Sequence, residues 1–112
     1  MTLPLPFKAG QLVVLVLKEP RERIWGRLLG LEAAGIALRG IDVNPWEEVI
    51  GFVRRGDADL AALGTRFLPM HRVESLYLDE PSSGVPSLSE DFERRTGRNP
   101  LDFLADCSLL PE

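Results

Sequence analysis

Several residue types that carry chemistry are scarce in this chain of 112 residues. It has one histidine, His71, and one cysteine, Cys107. Because these two lie far apart in the sequence, they match no usual metal-site spacing, and a lone cysteine cannot form an internal disulfide. The chain also lacks a nucleophile-elbow motif and a phosphate-cradling glycine loop. These absences predict a protein that is not an enzyme, with no catalytic residues, no metal and no cofactor.

Long apolar runs are lacking as well. The longest is Leu12–Leu17, far short of the roughly 20 residues that a membrane helix needs. The first six residues have neither the basic start nor the continuous apolar core of a signal peptide. A single cysteine fits a reducing compartment. We therefore expect a cytoplasmic protein without a membrane partner.

Charge is unevenly distributed along the chain. The net charge is −4, yet residues 1–73 carry ten Lys and Arg against eight Asp and Glu, whereas residues 74–112 carry three against nine. An acidic chain has low non-specific affinity for nucleic acid. The first part, however, is close to neutral and leaves room for a local basic patch. The acidic C-terminal part is typical of a solvated surface.

The apolar pattern predicts five strands. Leu12–Leu17 is apolar at every position, as in a strand buried on both faces. Ile24–Leu31 contains Gly26 and Gly30, and glycine inside a strand indicates a bend or a close backbone approach. The other predicted strands are Ile36–Val43, Thr65–Leu68 and Val73–Leu78.

Residues 44–64 show a helical period between the third and fourth strands. One helical face carries the apolar positions Trp46, Val49, Ile50 and Val53. Asn44 and Glu47 have the spacing of a capping box at the start of this helix. We expect Trp46, like Trp25, to be a core or interface anchor rather than a ligand platform.

The C-terminal part is also predicted to be helical. Residues 79–84 have the composition of a linker. Ser87 and Glu90 form a second capping box, and Gly97 ends the helix that it begins. Asn99, followed by Pro100, then caps a short last helix.

The second and third strands resemble the first motif of the Sm-like family of small bent barrels. That motif reads roughly Gly-x-Leu-x-Gly-aromatic-Asp, then Asn-apolar-x-Leu. The matching positions here are Gly26, Leu28, Gly30, Leu31, Glu32, Gly35, Ile36 and Leu38. The glycines and leucines match, whereas the aromatic residue is Leu31, the Asp is Glu32 and the Asn is Gly35.

The turn between the last two strands resembles the second motif of the family. Its sequence is Pro69-Met70-His71-Arg72-Val73. It is similar to the Tyr-Lys-His-Ala motif of the bacterial host-factor RNA chaperone, with His71 at the position of the family's histidine. The resemblance covers about residues 8–80.

The resemblance implies a mainly β fold, a five-stranded and strongly bent Sm-like barrel. Residues 1–80 would form the barrel, with a helical insertion at 44–64 between strands 3 and 4. Residues 81–112 would form a linker and a helical C-terminal extension.

RNA binding is the first function that the resemblance implies. Sm-like rings hold uridine between residues of the two motifs, with stacking and phosphate contacts. Gly35 has no side chain for such a contact, but imidazole stacks and guanidinium binds phosphate. The candidate nucleic-acid-binding residues are His71, Arg72, Arg39 and Lys8. The alternative is structural: His71 bonds backbone within a tight turn, and Arg72 pairs with Glu32 or Glu74.

Self-association is the second implication. In the family, the fourth strand of one subunit pairs with the fifth strand of the next, so we expect a homo-oligomer. The candidate interface residues are Arg66, Phe67, Leu68, Val73, Leu76 and Tyr77. The alternative function is a non-enzymatic protein-interaction or assembly module that keeps the Sm-like fold without binding RNA. A protein partner would then bind the insertion or the C-terminal extension.

Overall fold

The computed structural model describes residues 7–105, without the side chains of Asp59 and Leu60. Within this range the strands are β1 (Leu12–Leu17), β2 (Glu22–Glu32), β3 (Gly35–Asp42), β4 (Gly64–Pro69) and β5 (Val73–Leu78). The helices are α1 (Trp46–Arg54), α2 (Leu88–Thr96) and α3 (Pro100–Ala105), with 3₁₀ turns at Ala58–Ala61 and Met70–Arg72. The predicted segments at 1–6 and 106–112, and with them Cys107, lie outside the described residues.

The strands form one antiparallel sheet in the order β4-β3-β2-β1-β5. The prediction of a mainly β fold with five strands is confirmed for the described chain, and helices follow both β3 and β5. The sheet is not a closed barrel. Instead, β4 and β5 form its two edges, and no strand among residues 7–105 pairs with the outer side of either one.

Apolar side chains cover both faces of the sheet, so the chain has two cores. Strand β1 contributes to both, since Val13–Leu17 are all buried. Val14 packs with the helices, whereas Val13, Leu15 and Leu17 pack in the second core on the other face. The uninterrupted apolar run of β1 is explained by this double burial.

Trp25 lies at the centre of the helix-side core and is fully buried. Its ring centroid is 5.3 Å from that of Trp46 on α1, in an edge-to-face arrangement. The rings of Phe92 on α2 and Phe103 on α3 lie 5.2 and 6.4 Å from it. The two tryptophans are therefore packing anchors, as predicted, and all three helices pack on this face of the sheet.

Gly26 and Gly40 face each other on β2 and β3, on the side of the second core. A Cβ on Gly26 would lie 2.6 Å from the carbonyl oxygen of Arg39, and one on Gly40 would lie 2.4 Å from that of Trp25. One methyl group of the Leu38 side chain fills the space above both glycines. The close approach predicted for Gly26 is confirmed, because only hydrogen side chains allow this contact.

The two predicted capping boxes have different outcomes. At α2, the Ser87 hydroxyl accepts from the Glu90 amide at 3.0 Å and the Glu90 carboxylate accepts from the Ser87 amide at 3.0 Å, as predicted. The prediction of a capping box at Asn44 is wrong, because α1 begins at Trp46 and has no side-chain cap. The Glu47 carboxylate instead accepts from Arg95 of α2, which draws it away from the start of α1.

Candidate interaction surfaces

The guanidinium of Arg72 is held within its own chain. It donates to the carbonyl oxygens of Lys18 at 3.2 Å and Pro20 at 2.7 Å, and to the Glu22 carboxylate at 3.2 Å. The predicted pairing of Arg72 with Glu32 or Glu74 is therefore wrong. Arg72 joins the turn after β4 to the β1–β2 turn, and its side chain is only 19% exposed. This geometry leaves little of the guanidinium for a phosphate.

Glu22 lies between two arginines. Arg66 of β4 contacts one carboxylate oxygen at 3.3 Å, and Arg72 contacts the other at 3.2 Å. Partial burial acts to raise the pKa of Glu22, but the hydrogen bonds from Arg72 and Arg66 outweigh it, so this pKa lies below its ordinary value of 4.5. The carboxylate also makes this corner of the molecule less attractive to an anion.

His71 is exposed in the 3₁₀ turn between β4 and β5. Its side chain makes no hydrogen bond to any described residue, so the predicted backbone contact is not seen in this part of the chain. Arg39 is placed elsewhere. It lies opposite Thr65 on β4, whereas the His71 turn begins beside Ala34, at the other end of the β3–β4 pairing. The structure does not bring these two candidate residues together.

Gly35 stands at the position where the Sm-like motif has Asn, and the structure shows why it is glycine. A Cβ there would lie 2.3 Å from the carbonyl oxygen of Leu68 and 2.7 Å from the ring of Phe67. Any larger residue would push β4 away from β3. An asparagine-like base contact is therefore sterically excluded at this position as long as β4 stays paired.

Arg27 is a basic residue outside the set of binding residues predicted from the sequence. It lies directly opposite Arg39 on the neighbouring strand, so both side chains share the helix-side face of the sheet. The N-terminal segment runs beside it, because a Cβ on Gly10 would lie 4.0 Å from the Arg27 guanidinium. Lys8, two residues earlier, is exposed. The structure thus places Arg39 beside Arg27 and apart from His71, and the segment that carries Lys8 passes close to Arg27 at Gly10.

Phe67 and Tyr77 are the exposed aromatic residues of the two edge strands, at 55% and 42% exposure. Phe67 packs its ring over Gly35, and the Tyr77 hydroxyl accepts from Arg23 at 3.3 Å. The other predicted interface residues differ in accessibility. Leu68 is buried in its own core, Arg66 is exposed, and Val73 and Leu76 are half-buried.

Hydrogen bonds at the strand ends fix which edge amides point outward. The Met70 amide donates to Ala34 and the Asp79 amide to Leu12. Because antiparallel pairs alternate between bonded and non-bonded positions, the amides of Thr65 and Phe67 point away from β3. By the same alternation, the amides of Leu76 and Leu78 point away from β1.

Asp79 lies in the segment predicted to be a linker, and the structure gives it a specific role. Its carboxylate accepts from the Trp25 indole at 3.0 Å, from the amides of Leu88 and Ser89 at 2.9 and 2.8 Å, and from the Ser89 hydroxyl. It thereby joins the end of β5 to the buried indole and to the first turn of α2.

An open groove of about 440 Å³ lies beside this joint. It is lined by Gly10, Gln11, Leu12, Leu78, Asp79, Glu80 and Leu101. Its acidic side chains are Asp79, which is fully engaged within the chain, and the exposed Glu80.

A second polar joint connects α1 to α2. The Trp46 indole donates to Asp91 at 2.9 Å, and Arg95 bridges Asp91 and Glu47. Partial burial acts to raise the pKa of Asp91, but hydrogen bonds from Trp46, Arg94 and Arg95 bring it below its ordinary value. The bond from Arg95 likewise lowers the pKa of Glu47. Arg94 and Arg95 are thus explained by contacts within the fold.

The described residues form neither a metal-binding cluster nor a membrane-spanning helix. Within residues 7–105, no three His, Cys, Asp or Glu side chains are grouped so as to hold a metal ion. In the same range no helix has the length and apolar character to span a membrane. Neither finding tests for enzymatic activity, so the absence of such activity stays a prediction.

Comparison with known proteins gives no relative for this chain. No protein-family model, no curated protein and no solved structure matches it. The candidate surfaces are therefore judged on their geometry alone.

Proposed function

We propose that this chain is a non-enzymatic assembly module built on an Sm-like sheet, in which copies join by antiparallel pairing of β4 with β5 of the next copy. The observation that carries this proposal is the pair of edge strands, which are unpaired among residues 7–105, together with the exposed ring of Phe67. An edge strand offers a row of backbone donors and acceptors to another chain. Two such edges on one molecule allow head-to-tail association.

The outward amides limit the registers that this pairing can adopt. Residues whose amides point outward must face each other across a bonded antiparallel pair. Of the registers that satisfy this rule, we propose the one in which Phe67 lies opposite Leu76 of the next copy and Thr65 lies opposite Leu78. Opposed residues share a sheet face, so the Phe67 ring contacts the half-buried leucines at the rim of the next copy's second core. Full burial of a phenylalanine side chain contributes about 2 kcal/mol.

RNA binding, the other predicted function, is less well supported at the turn between β4 and β5. Arg72 is engaged by Lys18, Pro20 and Glu22, and Gly35 admits no side chain. His71 alone among these residues is exposed and has no hydrogen-bonding partner in the described chain. RNA binding stays a prediction that requires basic residues elsewhere on the surface.

Light scattering coupled to gel filtration tests the assembly. We expect the mass of the native chain to rise with concentration, and Phe67→Ser to remain a monomer because it loses the apolar contact. Leu29→Ser is the matched control, since Leu29 is an exposed apolar residue at 39% exposure on β2, away from both edges. A native chain that stays monomeric at high concentration contradicts the proposal.

Cysteine cross-linking tests the register in a Cys107→Ser background. In the proposed register Arg66 faces Tyr77 of the next copy at a non-bonded pair, where Cα atoms lie about 4.5 Å apart and a disulfide can form. A mixture of Arg66→Cys and Tyr77→Cys chains should cross-link on mild oxidation. A mixture of Arg66→Cys and Ser75→Cys chains, shifted by two residues, should not. Equal cross-linking in both mixtures would show that the register is wrong.

A further inference from the structure

We propose that Pro69, together with the bulge in β5, fixes the register in which β4 pairs with β5 of the next copy. This role rests on the assembly proposed above, because it concerns the alignment of the same two edges. Pro69 is the last residue of β4, and its nitrogen carries no hydrogen. A register that places this nitrogen opposite a regular position of β5 therefore loses one hydrogen bond.

The nitrogen of Pro69 lies on the outer side of β4. The Met70 amide donates to the carbonyl oxygen of Ala34, just before β3, so by the antiparallel alternation position 69 faces outward, as do Thr65 and Phe67. A single copy loses no hydrogen bond by this, because the nitrogen of a proline on an edge strand faces solvent. The outer edge of β4 thus offers amides at Thr65 and Phe67 but only a carbonyl oxygen at Pro69.

The bulge interrupts the outer edge of β5 as well. Between two bonded positions of the β1–β5 pairing, β1 has the single residue Leu17, whereas β5 has Val73 and Glu74. The alternation of outward amides is regular at Leu76 and Leu78 but is broken at Glu74. Pairing between copies can thus be regular only on the C-terminal side of the bulge.

The proposed register avoids both interruptions. There the two outward amides of β4 meet the two regular outward positions of β5, and Pro69 lies opposite Glu74, where the alternation is already broken. A slip of two residues toward Glu80 places Pro69 opposite Leu76, so the Leu76 carbonyl loses its donor. A slip in the other direction places Phe67 opposite Glu74 and leaves one regular bonded pair between the two strands.

Cysteine cross-linking of the full chain in a Cys107→Ser background measures the slip. A mixture of Thr65→Cys and Glu80→Cys chains reports the slip toward Glu80, since these residues then face each other with Cα atoms about 5.5 Å apart. In the proposed register they are diagonal neighbours roughly 7–8 Å apart, beyond the reach of a disulfide. The mixture of Arg66→Cys and Tyr77→Cys chains reports the proposed register.

Pro69→Ala, made in the chains that carry the β4 substitution, restores an outward amide. One neutral hydrogen bond shifts an equilibrium by roughly threefold to tenfold, so the ratio of slipped to proposed cross-link should rise by that factor. Pro69→Ser restores the same amide with a different side chain and should give the same rise. Pro81→Ala in the same chains is the matched control, since Pro81 is exposed after β5. It should leave the ratio unchanged.

The outcomes distinguish the role of Pro69 from the assembly on which it rests. A rise with both Pro69 variants and none with Pro81→Ala supports the role. The mixture of Arg66→Cys and Ser75→Cys chains reports the opposite slip and should stay low throughout. An unchanged ratio, or an equal rise in both slips, overturns the role of Pro69 while the Arg66–Tyr77 cross-link still supports the assembly. Absence of every cross-link, with a monomeric mass in light scattering, overturns the assembly and the role of Pro69 with it.

Discussion

The indole of Trp25 and the carboxylate of Asp79 are joined by a hydrogen bond of 3.0 Å, although 54 residues separate them in the chain. Trp25 is fully buried, so its N–H needs a partner within the protein. The Ser89 hydroxyl, 3.1 Å from the indole nitrogen, contacts the same carboxylate. The joint between the sheet and α2 therefore depends on a single acidic side chain.

Replacing Asp79 by Ala should destabilise the fold by about 2–4 kcal/mol. The change leaves the buried indole with only the Ser89 contact and removes the acceptor for two amides at the start of α2. Urea unfolding followed by tryptophan fluorescence measures the loss. Glu80→Ala is the control, because Glu80 is exposed and the hydrogen bonds to Trp25 and α2 are made by Asp79 instead. Equal stability of the two variants would show that Asp79 does not hold the helix.

Gly35→Ala should destabilise the protein by about 1–3 kcal/mol, because the added methyl group clashes with the backbone of Leu68. The amides of β4 should then exchange with solvent faster than those of β1, as hydrogen exchange can measure. Gly30→Ala provides the comparison, since a Cβ at Gly30 has nothing within 4 Å. A Gly35→Ala variant as stable as Gly30→Ala would contradict the close contact between β3 and β4.

Acid should weaken the contact of Glu22 with its two arginines. The pKa of Glu22 in the folded chain is below 4.5, so its contribution to stability is present above the unfolded value and is lost as pH falls through the folded value. We expect Glu22→Gln to destabilise the protein by about 1–2 kcal/mol at neutral pH and to have a smaller effect near pH 3. Urea unfolding across this range measures both.

The control for the acid experiment is Glu74→Gln. Glu74 pairs with Arg21 at 3.2 Å, but both side chains are well exposed, so the pair should contribute little at any pH. A pH response of Glu74→Gln equal to that of Glu22→Gln would show that general charge effects, rather than the two-arginine contact, cause the change.

Ser87→Ala should cost about 1 kcal/mol, because it removes the side-chain cap of α2 and half of the capping box. The exposed Ser83, in the loop before the helix, supplies the control substitution Ser83→Ala. Thermal unfolding by circular dichroism at 222 nm compares the two. A loss of stability with Ser83→Ala alone would contradict the role given to Ser87.

Local patterns predicted much of the fold. The run Val73–Leu78 becomes a strand with the predicted bounds, and Ser87 and Gly97 bound α2 as predicted. These signals are local, because alternation, caps and glycine at positive φ depend on a few adjacent residues. The helical period also predicted the buried face of α1, since Val49, Ile50 and Val53 are all buried.

Long-range contacts could not be predicted in this way. Arg72 pairs with Glu22, 50 residues away, rather than with the nearer Glu74. The register of β2 on β3 shifts between Leu28 and Gly30, so that Arg27 faces Arg39. Counting back from the turn without this bulge would place Arg27 opposite Gly40. The basic pair was therefore not visible until the strands were aligned in space.

The helices that cover Trp25 determine how partners of this protein should be sought. Removing residues after Glu80 would take Phe92 and Phe103 from the helix-side core and leave Trp25 without two of the three aromatic rings that pack on it. Such a shortened chain would expose an apolar patch that is buried in the intact molecule, and this patch would bind other proteins non-specifically. Experiments that search for partners should therefore use the full-length chain with point substitutions rather than deletions.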